Sequence, residues 1–137
     1  MKPTYDRIRD NTPDSINQKI DRKTQQNIQY YNKQNEMVIK SRIKELDHEW
    51  DIERVLALNA SLFALTGTIL GITVNKKWLI LPVVVTSFLA QHAVQGWCPP
   101  LPLFRKSGFR SRKEIDLERY ALVETLEDRK AMDNDYL

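Results

Sequence analysis

Cysteine, glycine and, over a long central stretch, charge are what this sequence has least of. A single cysteine, Cys98, in 137 residues rules out an intramolecular disulfide framework and a multi-cysteine zinc cluster. Any thiol chemistry is then solitary or intermolecular. Four glycines and six prolines exclude collagen-like and Gly-rich linker classes. No phosphate-binding loop, nucleophile elbow or dinucleotide fingerprint occurs. No catalytic residue, cofactor site or metal site is assigned, and the chain reads as non-enzymatic.

The net charge of +3 and the mean hydropathy of -0.50 resemble those of an ordinary soluble domain, but both averages hide a segmented chain. Residues 1–51 hold ten Lys/Arg and nine Asp/Glu, and residues 105–137 hold eight of each. Residues 52–104 hold only Glu53, Arg54, Lys76 and Lys77. The near balance in each flank argues against a nucleic-acid arm. Three regions follow: a polar, mainly helical region (1–51), an apolar middle (52–104), and a basic juxtamembrane segment with a helix and a short disordered tail (105–137).

The apolar middle contains two uncharged runs, 55–75 and 78–104, separated by Lys76 and Lys77. About 20 apolar residues suffice to span a bilayer, because the hydrocarbon layer is about 30 Å thick and a helix rises about 1.5 Å per residue. The pattern predicts a transmembrane helical hairpin with spans near 55–74 and 78–97. Trp50, Trp78 and Trp97 stand where an aromatic belt is expected. The competing reading is a buried hairpin of a soluble bundle, to which Asn59, Ser61, Thr66 and Thr68 lend support. A chain of this size has no second apolar layer to cover two helices that are apolar all round.

Basic residues near the span ends set the orientation. Nine of them (Lys40, Arg42, Lys44, Arg54, Arg105, Lys106, Arg110, Arg112 and Lys113) lie on the terminal side and two, Lys76 and Lys77, in the turn. The expectation is a multi-pass protein with both termini in the cytoplasm and no cleavable signal peptide, since the first fifty residues lack an apolar core. Ala60, Ala64, Gly67 and Gly71 fall on one helical face and allow close helix packing, within the hairpin or across a homodimer. Pro82 lies early in the second span, where proline is tolerated.

In the N-terminal flank, Thr12, Pro13 and Asp14 spell a helix start with Thr as N-cap. An incomplete apolar stripe from Ile16 to Trp50 then predicts one or two exposed amphipathic helices, lying on the membrane, pairing with a partner or forming a solvated stalk. Downstream, Pro99, Pro100 and Pro102 end the second span, and Ser111 to Glu114 form a capping box that predicts a helix over about 112–130. The DNDYL ending is expected to be disordered. The fold class is therefore all-α, a two-helix transmembrane hairpin flanked by cytoplasmic amphipathic helices.

Candidate functional side chains are few. His92, Gln95 and Cys98 follow one another at steps of three, which places them on neighbouring positions of one face, and Trp97 lies between. They form either a polar strip leading to a thiol at the cytoplasmic surface, or groups that hydrogen-bond the first span, at Asn59 or Ser61. A helix C-terminus opposes a thiolate at Cys98. His48, Glu49 and Asp51 in HEWD lack zinc-site spacing, and ion pairing with Arg54 is the expected use.

At QGWCPPLPLFRKSG, Gln95 to Gly108, and at HEWDIERVLALNA before the first span, the sequence resembles the YgaP-like transmembrane domain family. Its members are bacterial inner-membrane two-helix hairpins with a Gly-Trp-Cys-Pro ending, alone or joined to rhodanese domains. The likeness covers roughly 45–122, including FRSRKEIDLERYAL. It implies a location in the bacterial cytoplasmic membrane and a dimer through the hairpin, and it matches Gly96, Trp97, Cys98 and Pro99 to the family motif. It implies no sulfur transfer, because the rhodanese domain is missing.

The functional expectation is a non-enzymatic inner-membrane protein that anchors cytoplasmic helices for self-association or an unknown protein partner. The partners are the lipid bilayer, a second copy and that protein, with no nucleic acid. Two alternatives stand beside it: a membrane-surface thiol or persulfide carrier using Cys98 with His92, and an accessory subunit of a larger membrane complex.

Overall fold

The computed structural model describes residues 7–136 and is helical, with no strand among the described residues. Seven α-helices follow in order: α1 (Arg7–Asp10), α2 (Asp14–Tyr31), α3 (Glu36–His48), α4 (Ile52–Thr73), α5 (Ile80–Gln95), α6 (Leu101–Lys106) and α7 (Arg112–Asp135). A 3-10 turn, Lys76–Leu79, joins α4 to α5.

The hairpin is built from α4 and α5. Asp51 starts α4 by accepting the Arg54 N–H at 2.8 Å, and Asn75 organises the turn by accepting the Lys77 N–H at 3.0 Å. Gly96 ends α5 in the left-handed region at φ 78°, which favours glycine. The stretch that ends in α4 (Glu36–Thr73) and the 20 residues from the 3-10 turn through α5 (Lys76–Gln95) are long and apolar enough to cross a membrane. No residue of α5 is buried, although a soluble core helix would hide its apolar side chains. Asn59, Ser61, Thr68, Thr73, Thr86 and Ser87 donate back to carbonyls one turn earlier in their own helices. These polar groups are thus satisfied without water.

Small residues set the contact between α4 and α5. Gly67 and Gly71 are buried. A Cβ on Gly67 would come within 2.6 Å of Pro82 Cδ, and one on Gly71 within 2.6 Å of Leu79 Cγ. The Gly67–Gly71 face therefore packs inside the hairpin. Ala90 and Ala93 remain exposed on α5.

The flanks pack together rather than standing as exposed amphipathic helices. Ile39, Leu46, Ile115, Leu122 and Leu126 form one core between α3 and α7, with Tyr31 of α2 and Ile43 against it. Between α2 and α3 the chain turns without glycine or proline, and Asn35 caps α3 by accepting the Val38 N–H at 3.0 Å. A second core joins the bundle to the hairpin: Ile8, Ile52, Leu56, Cys98 and Leu101, flanked by Phe104 and Phe109. The Ile52 N–H also donates to the Arg110 carbonyl at 2.9 Å, tying the first residue of α4 to the segment before α7.

Two local expectations change. Thr12 does not cap α2, because its hydroxyl donates to the Ile8 carbonyl at 2.6 Å and accepts from Arg105 Nε at 3.2 Å. The Ser111–Glu114 capping box forms as expected, but α7 continues to Asp135. The stretch expected to be a disordered tail is helical up to there, and Leu137 lies outside the described residues.

Candidate functional site

Cys98 is buried beside Ile8, Ile52, Leu56 and Leu101, in the apolar junction between hairpin and bundle. Burial pushes its thiol up, and a hydrogen bond from the Leu101 backbone offsets part of this. A thiol held protonated is a poor nucleophile. The face expected to join His92, Gln95 and Cys98 does not form as a helical face, because α5 stops at Gln95 and Gly96 turns the chain before Cys98.

Gln95 is exposed and accepts a 3.4 Å bond from Gln91, while its backbone carbonyl accepts from Asn11 at 3.2 Å. His92 Nδ1 is enclosed and has no partner among the described residues. Asn59 and Ser61 bond within α4 and do not serve it. Trp97 is exposed at the same end of the hairpin as Trp50, and Trp78 is exposed at the other end. Ala60 and Ala64 are half-buried along the face that carries Gly67 and Gly71.

The most developed polar constellation lies outside these residues. Arg105, fully buried, meets Glu114 through two parallel bonds of 2.6 and 2.8 Å. Its other donors reach Asn17 Oδ1 at 2.9 Å, the Phe109 carbonyl at 3.2 Å and Thr12 at 3.2 Å. All five guanidinium N–H groups are thereby satisfied. Arg9 adds a second cation to Glu114 at 2.8 Å.

One turn further along α7, the fully buried Glu118 binds Arg110 at 2.6 Å and Arg42 at 2.9 Å, with Asn27 at 3.3 Å. Arg110 also grips Glu49 through bonds of 2.9 and 2.5 Å. Burial alone would raise both Glu114 and Glu118, but the arginines outweigh it and hold both below the usual carboxylate range. The cluster joins α1, α2, α3, α6 and α7 through charged bonds, each of which would be costly to leave unmade.

The expected pairing of HEWD with Arg54 is replaced. Glu49 goes to Arg110, Asp51 caps α4, and Arg54 stacks over the Trp50 ring at 4.4 Å. The buried network was missed because basic residues beside a span are read as solvated. One signal was present: Ile115, Glu118, Leu122 and Leu126 follow at steps of three, four and four, which places a carboxylate in the core-facing register of α7. No family model, curated protein or solved structure matches the chain.

Proposed function

We propose that this chain is a non-enzymatic integral membrane protein whose hairpin, α4 and α5, anchors a cytoplasmic helical bundle for a protein partner or a second copy. The observation that carries the reading is that the two apolar helices stay exposed while a separate bundle builds its own core at one end of them. Exposed Leu58, Leu62, Phe63, Ile69, Ile72 and Val83 form an apolar surface of the kind that soluble monomers avoid. The Trp50/Trp97 and Trp78 ends suit the two interfaces. The excess of basic residues on the terminal side supports cytoplasmic termini. The YgaP-like resemblance points to the bacterial inner membrane.

Self-association through the hairpin would use a face other than Gly67–Gly71, which the chain's own α5 covers. The burial of Cys98 favours the anchor over the thiol or persulfide carrier.

The test combines alkaline carbonate extraction with site-directed labelling in a Cys98→Ser background. The protein should stay in the membrane pellet, with Lys76→Cys labelled only from outside the cytoplasm and Arg112→Cys only from inside. Recovery as a monodisperse soluble monomer would overturn the anchor. Cys98→Ser should preserve membrane level, oligomeric state and cellular phenotype; a lost phenotype with intact insertion would support the carrier instead.

A further inference from the structure

Between α2 and the segment joining α6 to α7 lies a cleft of about 700 Å³. Its lining holds six cations, Lys19, Lys23, Lys106, Arg42, Arg105 and Arg110, and one carboxylate, Glu49. The two kinds of cation differ in what they can offer. Arg105 has no donor left, Arg110 is held by Glu49 and Glu118, and Arg42 gives Nε to Glu118 and Nη1 to Glu45. They form a rigid floor whose positions the protein fixes.

Lys19, Lys23 and Lys106 are exposed and have no ion pair or hydrogen bond among the described residues. Lys19 and Lys23 stand one turn apart on α2, and Lys106 ends α6 at another part of the cleft lining. Three unpaired lysines bordering one cleft together with the arginines make its lining electropositive, which attracts an anion. Glu49, the single acid in the lining, is already neutralised by Arg110.

We propose that this cleft binds an anionic phosphate group, held by Lys19, Lys23 and Lys106 above the arginine floor. Lysine suits this role as a mobile point charge with three donors, able to follow a tetrahedral oxyanion. Asn27, with one amide N–H on Glu118, lines the same wall and offers polar contact. The cleft's location names two sources for the phosphate. Arg110 is bonded to the first residue of α4, and α6 follows directly on the hairpin, so the site lies at the Trp50/Trp97 end, within reach of a lipid headgroup and of a soluble phosphate compound. The lipid source rests on the membrane reading above, whereas the soluble source does not.

The test uses the full chain in maltoside micelles, which contain no phosphate. Inorganic pyrophosphate is titrated in, and retention of phosphatidylglycerol against phosphatidylcholine is followed by native mass spectrometry. The expected result is saturable, salt-sensitive binding of at least one anionic probe. Lys19→Gln, Lys23→Gln and Lys106→Gln together should weaken it about tenfold, the combined size of three exposed charge contacts. Lys33→Gln, Lys44→Gln and Lys130→Gln, which alter lysines outside the cleft, should leave it unchanged. Lysine-dependent binding of pyrophosphate identifies a soluble ligand, and lysine-dependent retention of phosphatidylglycerol alone identifies a headgroup. Binding of neither probe, or equal weakening by the two sets of substitutions, would overturn the proposal. Carbonate extraction on the same preparation reads the anchor separately: a chain that leaves the membrane yet binds pyrophosphate defeats the anchor and keeps the site.

Discussion

Helices α5 and α7 differ most in what they hide. Ile80–Gln95 is apolar along its length and buries no residue, whereas Arg112–Asp135 is polar overall and buries Glu114 and Glu118 beside Ile115, Leu122 and Leu126. In α7 the buried interior contains carboxylates, and in α5 most of the exposed surface is hydrocarbon. The contrast shows two ways of stabilising helix contacts. Between α4 and α5 the contact depends on shape, with glycines admitting Leu79 and Pro82. Around α7 the contact depends on apolar burial plus directional charged bonds, which fix one arrangement of the helices through arginine geometry.

The sharpest way to break this comparison is to remove one cation from the bundle. Arg105→Met leaves Glu114 with Arg9 alone and strands Asn17 and the Phe109 carbonyl. The expected loss is about 3–5 kcal/mol of bundle stability, the usual cost of uncoupling a buried pair. Denaturant unfolding followed by helical circular dichroism, with limited proteolysis of α2 and α3, measures it. The α4–α5 hairpin should remain helical in the same variant. Unchanged bundle stability would mean that the apolar core alone holds these helices.

Acid should act on the same bonds. Glu114 and Glu118 lie below their unfolded value of 4.5 in the folded chain. Their contribution is therefore fully present above about pH 4.5 and is lost as pH falls through their lower folded values. The bundle should unfold cooperatively in that acid range while hairpin helicity persists, as seen by circular dichroism in micelles. A bundle equally stable throughout that range would show that the charged bonds add nothing net.

The smallest effect is expected in the hairpin. Gly71→Leu places a side chain where Leu79 already packs, with a cost of about 1–3 kcal/mol by overpacking. It should lengthen the distance between α4 and α5, measured by paired spin labels, and leave bundle unfolding unchanged. A shift of the bundle transition by the same amount would mean that the two regions fold as one unit.

Much of the hairpin was legible in the sequence, because uncharged length and the position of Trp78 and Lys76 are local properties. The capping box at Ser111 was legible for the same reason. The end of α5 was misjudged at Cys98, since a single glycine in the left-handed region redirected a face that periodicity alone would have continued. The bundle was read as exposed helices because its stripe from Ile16 to Trp50 is interrupted by Gln and Asn. Those interruptions include Asn27, which bonds Glu118 across the bundle.

Sequence by itself determined the two hairpin helices and the start of α7 to within a turn, and which helices are apolar enough to enter a membrane. Both follow from side chains and neighbours a few residues apart. Tertiary structure alone decided that Cys98 is enclosed, that Arg42, Arg105 and Arg110 are committed to buried carboxylates, and that Lys19, Lys23 and Lys106 are left free around one cleft. Those outcomes depend on contacts between residues as far apart as Arg9 and Glu114. The partner of a charge, unlike its presence, is fixed only when distant helices meet.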